Sequence, residues 1–116
     1  MIEVAVIEDD IVIRENLRQL FERTEDMICI GAFERCEDAF DTLKKKEPDV
    51  ILMDIKLPGM DGIEGMKKLK VFLEETDFIM LTVHEESELV FKALKSGATG
   101  YLDKSASEDK IIESIK

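Results

Sequence analysis

No tryptophan, a single tyrosine, a single histidine and two cysteines occur among the 116 residues. Each scarcity removes a class of chemistry. So few polar aromatic rings leave little to stack on a flavin. Cys29 and Cys36, seven residues apart beside one histidine in the whole chain, make no zinc pattern. A cytosolic setting disfavours a disulfide between them, so both read as small packing residues. No apolar run is long enough to cross a bilayer. The opening MIEVAVIEDD lacks the basic segment and small-residue cleavage site of a signal peptide. There is no repeat, low-complexity tract or linker. The expectation is one cytoplasmic domain over residues 1–116.

Positive charge is also short, with 16 Lys and Arg against 27 Asp and Glu and a formal net charge of −11. A field of that sign repels phosphate backbones and anionic lipid, so this chain alone is a poor binder of nucleic acid or membrane. Most of the acidity reads as solubility. An apolar fraction of 45% is ordinary for a globular domain of this size.

What the chain does have is alternation. IEVAVI (2–7), MICIGAF (27–33), DVILMD (49–54), DFIMLT (77–82) and TGYL (99–102) read as strands. Ile13, Leu17, Leu20 and Phe21 form an i, i+4, i+7, i+8 stripe and predict a helix over about 11–23. Ala39, Phe40 and Leu43 mark a second helix, stopped by Pro48. Met66, Leu69 and Leu73 mark a third. A fourth runs from near Glu85 to Gly97, a left-handed cap, and Ile111, Ile112 and Ile115 begin a fifth. Strand–helix alternation five times over predicts a doubly wound α/β fold with a parallel sheet covered on both faces. Right-handed crossovers point every strand the same way, so residues just past the strand ends lie along one edge.

That edge is rich in chemistry. The first strand delivers Glu8, Asp9 and Asp10; the third, Asp54; the fourth, Thr82 with His84 beyond; the fifth, Asp103 and Lys104. Ligands of doubly wound sheets bind outside the carboxyl ends. Crowded carboxylates repel unless a cation joins them. Hard oxygen donors with open positions suit Mg²⁺ awaiting a phosphate. Lys104 and Thr82 are a point charge and a neutral donor for a phosphoryl oxygen. Asp54, ending a central strand, has the place of a nucleophile able to form an aspartyl phosphate. Taken singly, each residue is bland: Asp54 a turn former, Asp10 and Thr82 helix caps, Lys104 a surface cation. Four strand ends supplying groups that one ligand needs is a different observation.

These residues resemble the response regulator receiver domains of two-component signalling, over essentially the whole chain. The matching positions are Glu8 and Asp9, Asp54 within MDIKLPGMDG, Thr82, Tyr101 and Lys104. The resemblance implies a (βα)5 flavodoxin-like sheet in strand order 2-1-3-4-5. It implies that Asp54 accepts a phosphoryl group from the phosphohistidine of a sensor histidine kinase, with Mg²⁺ or Mn²⁺ as cofactor. The metal is then held by Asp9, Asp54 and the backbone carbonyl of Lys56, with Glu8 acting through water and Asp10 outside the pair. Thr82 and Tyr101 become the switch, which reshapes the face of the fourth helix, fifth strand and fifth helix. The half-wet aromatic is the plain alternative for Tyr101.

Two positions depart from the pattern. Ser105 stands where many receivers have proline after a cis peptide, and a cis bond before any other residue costs about 2.5–4 kcal/mol. His84, two residues after Thr82, flanks the path of hydrolytic water in the family; an idle loop histidine is its plain alternative.

LTVHEESELVFKALKSGATGYLDKS is similar to the NarL/FixJ-type transcriptional regulators. Those carry a C-terminal helix-turn-helix domain, and the chain stops at IIESIK, so a receiver excised from a longer regulator is expected. DNA is then reached only through the missing domain, and a phosphorylation-linked homodimer is a further expectation from the family. Two competing readings are an Mg²⁺ phosphohydrolase and a flavodoxin-like cofactor binder. The first needs an aspartate two residues after the nucleophile, where this chain has Lys56. The second needs a phosphate cradle, and EDDIVIR supplies none. A receiver that works without phosphorylation is a third, and the intact set of Glu8, Asp9, Asp54, Thr82 and Lys104 argues against it.

Overall fold

Two-sided burial of large apolar and β-branched residues stabilises the three central members of a pleated sheet of five strands. The five are β1 (Ile2–Ile7), β2 (Met27–Phe33), β3 (Val50–Asp54), β4 (Asp77–Thr82) and β5 (Gly100–Asp103). A computed structural model describes residues 1–83 and 87–116. All strands pair in parallel, in the order β2-β1-β3-β4-β5. Among the described residues, five helices connect and follow them: α1 (Ile11–Glu22), α2 (Cys36–Lys45), α3 (Gly62–Lys70), α4 (Ser87–Lys95) and α5 (Glu108–Ile115). The order is the flavodoxin-like one expected, with the winding reversing beside β1 and β3.

The pleat sends alternate residues of each central strand to opposite faces. Ala5, Ile7, Ile51, Met53, Phe78 and Met80 meet Leu43 of α2, Met66 and Leu69 of α3 and Ala93 of α4. Val4, Val6, Leu52, Ile79 and Leu81 meet Leu17, Leu20 and Phe21 of α1 and Ile111 of α5. Ile112 and Ile115 pack onto this second cluster as well, so the apolar side of α5 belongs to the core. A Leu, Ile or Phe side chain buried this way contributes about 1.5–3 kcal/mol.

Helix boundaries follow local chemistry. Asp10, Asp61 and Ser107 each cap a helix with the side chain, accepting hydrogen bonds from N–H groups two or three residues on. α2 ends ahead of Pro48, with Lys46 already extended. Gly97 closes α4 at φ 119°, where glycine alone is comfortable. β5 lies one residue later than TGYL predicts. Thr99 is spent on a stitch instead: its Oγ1 accepts from Phe78 N–H at 3.3 Å and donates to Asp77 at 3.2 Å.

Register sets the level of the site. Ile7 pairs with Met53, Asp54 with Leu81 and Thr82 with Asp103. One step on, Glu8 comes level with Asp54, and Lys104 N–H bonds the Thr82 carbonyl at 2.8 Å.

Candidate functional site

The strand ends bring buried polar groups together. Glu8, Asp54 and Thr82 are 0%, 3% and 3% exposed. Such burial demands partners, and the neighbouring loops supply them. The Lys104 ammonium lies 2.9 Å from Asp54 Oδ2 and 3.1 Å from Glu8 Oε1. The Lys56 N–H donates to Asp54 Oδ1 at 3.1 Å, and the Asp10 N–H to Glu8 Oε2 at 3.0 Å. Asp9 lies at the mouth, exposed.

Charge is unbalanced here, with three carboxylates around one ammonium. Burial pushes the Asp54 carboxyl up to about 7, reinforced by Glu8 and opposed by its bond to Lys104. Burial raises Asp9 too, but its hydrogen bonds, first of all with Asp54, outweigh that and hold it below its usual value. Burial alone lowers Lys104, yet Asp54 and Glu8 outweigh it and raise its pKa.

One more cation suits the site. Glu8 Oε1 is buried and accepts no hydrogen bond, because Lys104 meets it as an ion pair without bonding geometry. Carboxylate oxygens of Glu8, Asp9 and Asp54 all lie within 4.8 Å of one another. Three hard oxygens so close together, with Asp9 exposed at the mouth, fit a small divalent ion of about 2.0–2.1 Å bond length. Lys56, the fourth expected member, is brought beside Asp54 by its N–H bond.

The remaining predicted residues fall into place unequally. Thr82 Oγ1 donates to the Val83 carbonyl at 2.9 Å. Tyr101 is 56% exposed. Both line a cavity of about 380 Å³ with Phe91 and Leu94 of α4, so the two positions expected to form the switch border the same space. Asp10 caps α1 through Val12 and Ile13 N–H and stands outside the carboxylate cluster. At Ser105, no cis peptide occurs among the described residues. Its N–H and hydroxyl both donate to Asp103 Oδ1, at 2.8 and 2.6 Å, holding the turn after Lys104. His84 lies outside the described residues.

Asp61 and Arg14 escape the sequence reading, and Gly62, legible as a residue that shapes the turn into the third helix, carries a further constraint. Gly62 opens α3 against the Asp54 main chain, where a Cβ would sit 2.1 Å from the Asp54 carbonyl oxygen. Asp61 caps α3 by accepting Glu64 N–H at 2.9 Å. Its signal is legible in Asp61 followed three residues later by Glu64, a capping-box spacing. Arg14 donates to the Glu8 carbonyl at 2.8 Å and, at 3.4 Å, to the Asp9 carbonyl. No periodicity marks that role.

With this geometry in hand, comparison with known proteins decides the family. The family model for response regulator receiver domains matches residues 4–116. The chain belongs to that family. The transcriptional regulatory protein LnrK of Bacillus subtilis (strain 168) is 36% identical over 115 residues, 99% of this chain and 52% of LnrK. The response regulator UvrY of Escherichia coli (strain K12) is 33% identical over 116 residues, 100% of this chain and 53% of UvrY. The receiver therefore spans about half the length of the curated relatives it matches. Among solved structures, the signal receiver domain of NarL from Mycobacterium tuberculosis superposes with a TM-score of 0.90 at 26% identity, covering 98% and 92% of the two chains. The response regulator domain of Thermotoga maritima CheB gives 0.85 at 28% identity, covering 99% and 93%. The chain is a receiver domain of the two-component response regulators, and its relatives include transcriptional regulators.

Proposed function

We propose that this receiver is a phosphoacceptor, with Asp54 taking a phosphoryl group from the phosphohistidine of a sensor histidine kinase. The observation that carries the reading is Lys104 Nζ 2.9 Å from Asp54 Oδ2 at the edge of a three-carboxylate cluster. In the transfer, an Asp54 carboxylate oxygen forms a bond to phosphorus. The phosphorus–nitrogen bond breaks, its electron pair returns to the imidazole, and the displaced ring nitrogen can take up a proton. Asp9, Asp54 and the Lys56 carbonyl, with Glu8 acting through water, would hold Mg²⁺ or Mn²⁺, which would neutralise charge on the transferring phosphoryl group.

The protein's own residues do the rest. Lys104 leaves Asp54 Oδ2 to hold a phosphoryl oxygen, and Thr82 Oγ1 leaves the Val83 carbonyl to bond another. The departing hydroxyl opens room for Tyr101 to turn into the cavity beside α4. The face of α4, β5 and α5 is thereby altered and controls a DNA-binding output of the kind the transcriptional relatives suggest. The receiver turns over only its own phosphoryl group, in the cytoplasm, and is not otherwise an enzyme. His84 is a candidate modulator of the acyl phosphate lifetime, and a homodimer linked to phosphorylation is the proposed active form.

Intact mass after incubation with acetyl phosphate tests the reading. A Mg²⁺-dependent gain of one phosphoryl group that Asp54→Asn abolishes is expected. An equal gain in that variant overturns it. Sedimentation of the same samples reads the homodimer.

A further inference from the structure

Two of the three clustered carboxylates are each held by Lys104 and by a backbone N–H. Glu8 is wholly buried, bonded by Asp10 N–H and paired with Lys104. Asp54 ends a central strand and is held by Lys104 and by Lys56 N–H. Asp9 is different. It is exposed and hydrogen-bonds to Asp54 and Glu8, and the two peptide planes that flank its Cα set the direction in which its side chain leaves the backbone.

Both planes are held by one residue. Arg14 stands one turn into α1 and reaches back over the helix start. Its Nη1 donates to the Glu8 carbonyl at 2.8 Å and, at 3.4 Å, to the Asp9 carbonyl. Those carbonyls belong to the peptide planes before and after the Asp9 Cα. Arg14 N–H also bonds the Asp10 carbonyl at 2.9 Å, and Asp10 Oδ1 takes Val12 and Ile13 N–H. Helix α1 and the acidic loop are thus tied together by several hydrogen bonds, the one from Arg14 to the Glu8 carbonyl charge-assisted.

We infer that Arg14 is a positioning residue for the cation site: its guanidinium fixes the Glu8 and Asp9 peptide planes and so aims the Asp9 carboxylate at the ion. This rests on the reading of Glu8, Asp9 and Asp54 as a divalent-cation site. Outer partners of this kind change metal affinity by about 10–100-fold when removed. The sign separates the role from plain electrostatics. A cation near three carboxylates repels an incoming ion, so deleting its charge alone strengthens binding. Deleting the clamp weakens it.

The test is calorimetric titration of Mg²⁺ into the metal-free, unphosphorylated chain as wild type, Arg14→Lys, Arg14→Met and Asp54→Asn. Urea unfolding and acetyl phosphate kinetics across Mg²⁺ concentrations are run on the same preparations. Arg14→Met is expected to weaken Mg²⁺ binding about tenfold or more. Its half-saturating Mg²⁺ for phosphorylation rises by the same factor, while the rate at saturating Mg²⁺ stays near wild type. Arg14→Lys, which keeps the charge but lacks the planar fork, gives an intermediate affinity. Unchanged or tighter binding in Arg14→Met overturns the inference, as does a lower saturated rate at unchanged half-saturation. Should Arg14→Met lose its cooperative unfolding transition, Arg14→Lys decides alone, and wild-type affinity in it is the overturning result. Wild type that binds no Mg²⁺, or binds it as well without Asp54, sinks the underlying site reading and this inference with it. Binding that depends on Asp54 but not on Arg14 sinks the inference only.

Discussion

Lys104 Nζ sits 2.9 Å from Asp54 Oδ2 and 3.1 Å from Glu8 Oε1, bridging two buried carboxylates, one ending β3 and one just past β1. The ammonium is already at the site before any phosphoryl group arrives, so it has only to shift from Asp54 Oδ2 to a phosphoryl oxygen as charge develops there. Lys104→Met removes this donor and its charge together. Its phosphorylation by acetyl phosphate should slow about 10²–10³-fold. Mg²⁺ binding should move the opposite way and tighten, because the cation competing for the same carboxylates is gone. Rate and calorimetric affinity measured on one preparation check both signs, and parallel losses would refute the assignment.

The Asp54 carboxyl, pushed up to about 7 by burial, makes stability depend on pH. The raised pKa means that the folded chain keeps a proton which the unfolded chain releases near the ordinary value of about 3.9. Metal-free stability from this group is therefore fully present below about pH 4 and is lost as pH rises through about 7. A bound cation replaces that proton. The melting-temperature gain from Mg²⁺ should accordingly be small at pH 5 and large at pH 8, where Mg²⁺ at 100 times its dissociation constant adds about 2.7 kcal/mol. Asp54→Asn should melt higher than wild type at pH 8 without metal and show little of the gain. A gain independent of pH would count against the elevated Asp54 pKa.

How far these features are legible in the sequence depends on their range. The apolar strands and the Leu17, Leu20 and Phe21 stripe are local patterns, and they locate the elements and the edge that collects Asp54, Thr82 and Lys104. Leu73 shows where periodicity overreaches. It is 2% exposed and on stripe with Met66 and Leu69, yet α3 ends at Lys70 and Leu73 packs from the following turn. Burial set its identity, not helix. Arg14 is invisible for another reason: an arginine on a helix reads as solvated surface, and its bonds to Glu8 and Asp9 exist only once the chain reverses at Asp10. Gly62 looks like turn chemistry, while its actual constraint is contact with the Asp54 main chain.

That constraint gives a further prediction. A Cβ on Gly62 would stand 2.1 Å from the Asp54 carbonyl oxygen and 2.9 Å from the Ile55 Cα. Both are backbone atoms, so neither can swing aside. Gly62→Ala should cost about 1–3 kcal/mol in urea unfolding, the range of overpacked cores. It should also slow phosphorylation, because the displaced backbone carries the acceptor. Gly100, with nothing within 4 Å of its ideal Cβ, is the matched control. Gly100→Ala should leave both measurements near wild type.

Burial also governs the thiols. Cys36 is 0% exposed and its pKa is pushed up to about 12, by desolvation first and then by Glu37 and other nearby carboxylates. A thiolate is the reacting species, so Cys36 should resist iodoacetamide at pH 8 until the protein is unfolded in urea. The sign on stability is again that of a raised pKa. The contribution is intact below the unfolded value of about 8.5 and disappears as pH rises through about 12. Peptide mass mapping after labelling distinguishes Cys36 from half-buried Cys29, and native labelling of Cys36 at the unfolded rate would refute its burial.

The absence of tryptophan makes the proposed switch directly readable. Tyr101 is the single tyrosine, it is 56% exposed, and it lines the cavity of about 380 Å³ with Thr82, Phe91 and Leu94. If phosphorylation draws the Thr82 hydroxyl from the Val83 carbonyl, the ring gains room to turn inward. Burial should then shield it from a dissolved quencher. Acrylamide quenching of tyrosine emission should fall on addition of acetyl phosphate and Mg²⁺ and should stay constant in Asp54→Asn. Thr82→Ala separates the two steps. Lacking the hydroxyl, it leaves the space beside β5 open at all times, so Tyr101 should be partly shielded before phosphorylation and change less after it. Quenching in Thr82→Ala that matches wild type in both states would show that Thr82 does not gate the ring.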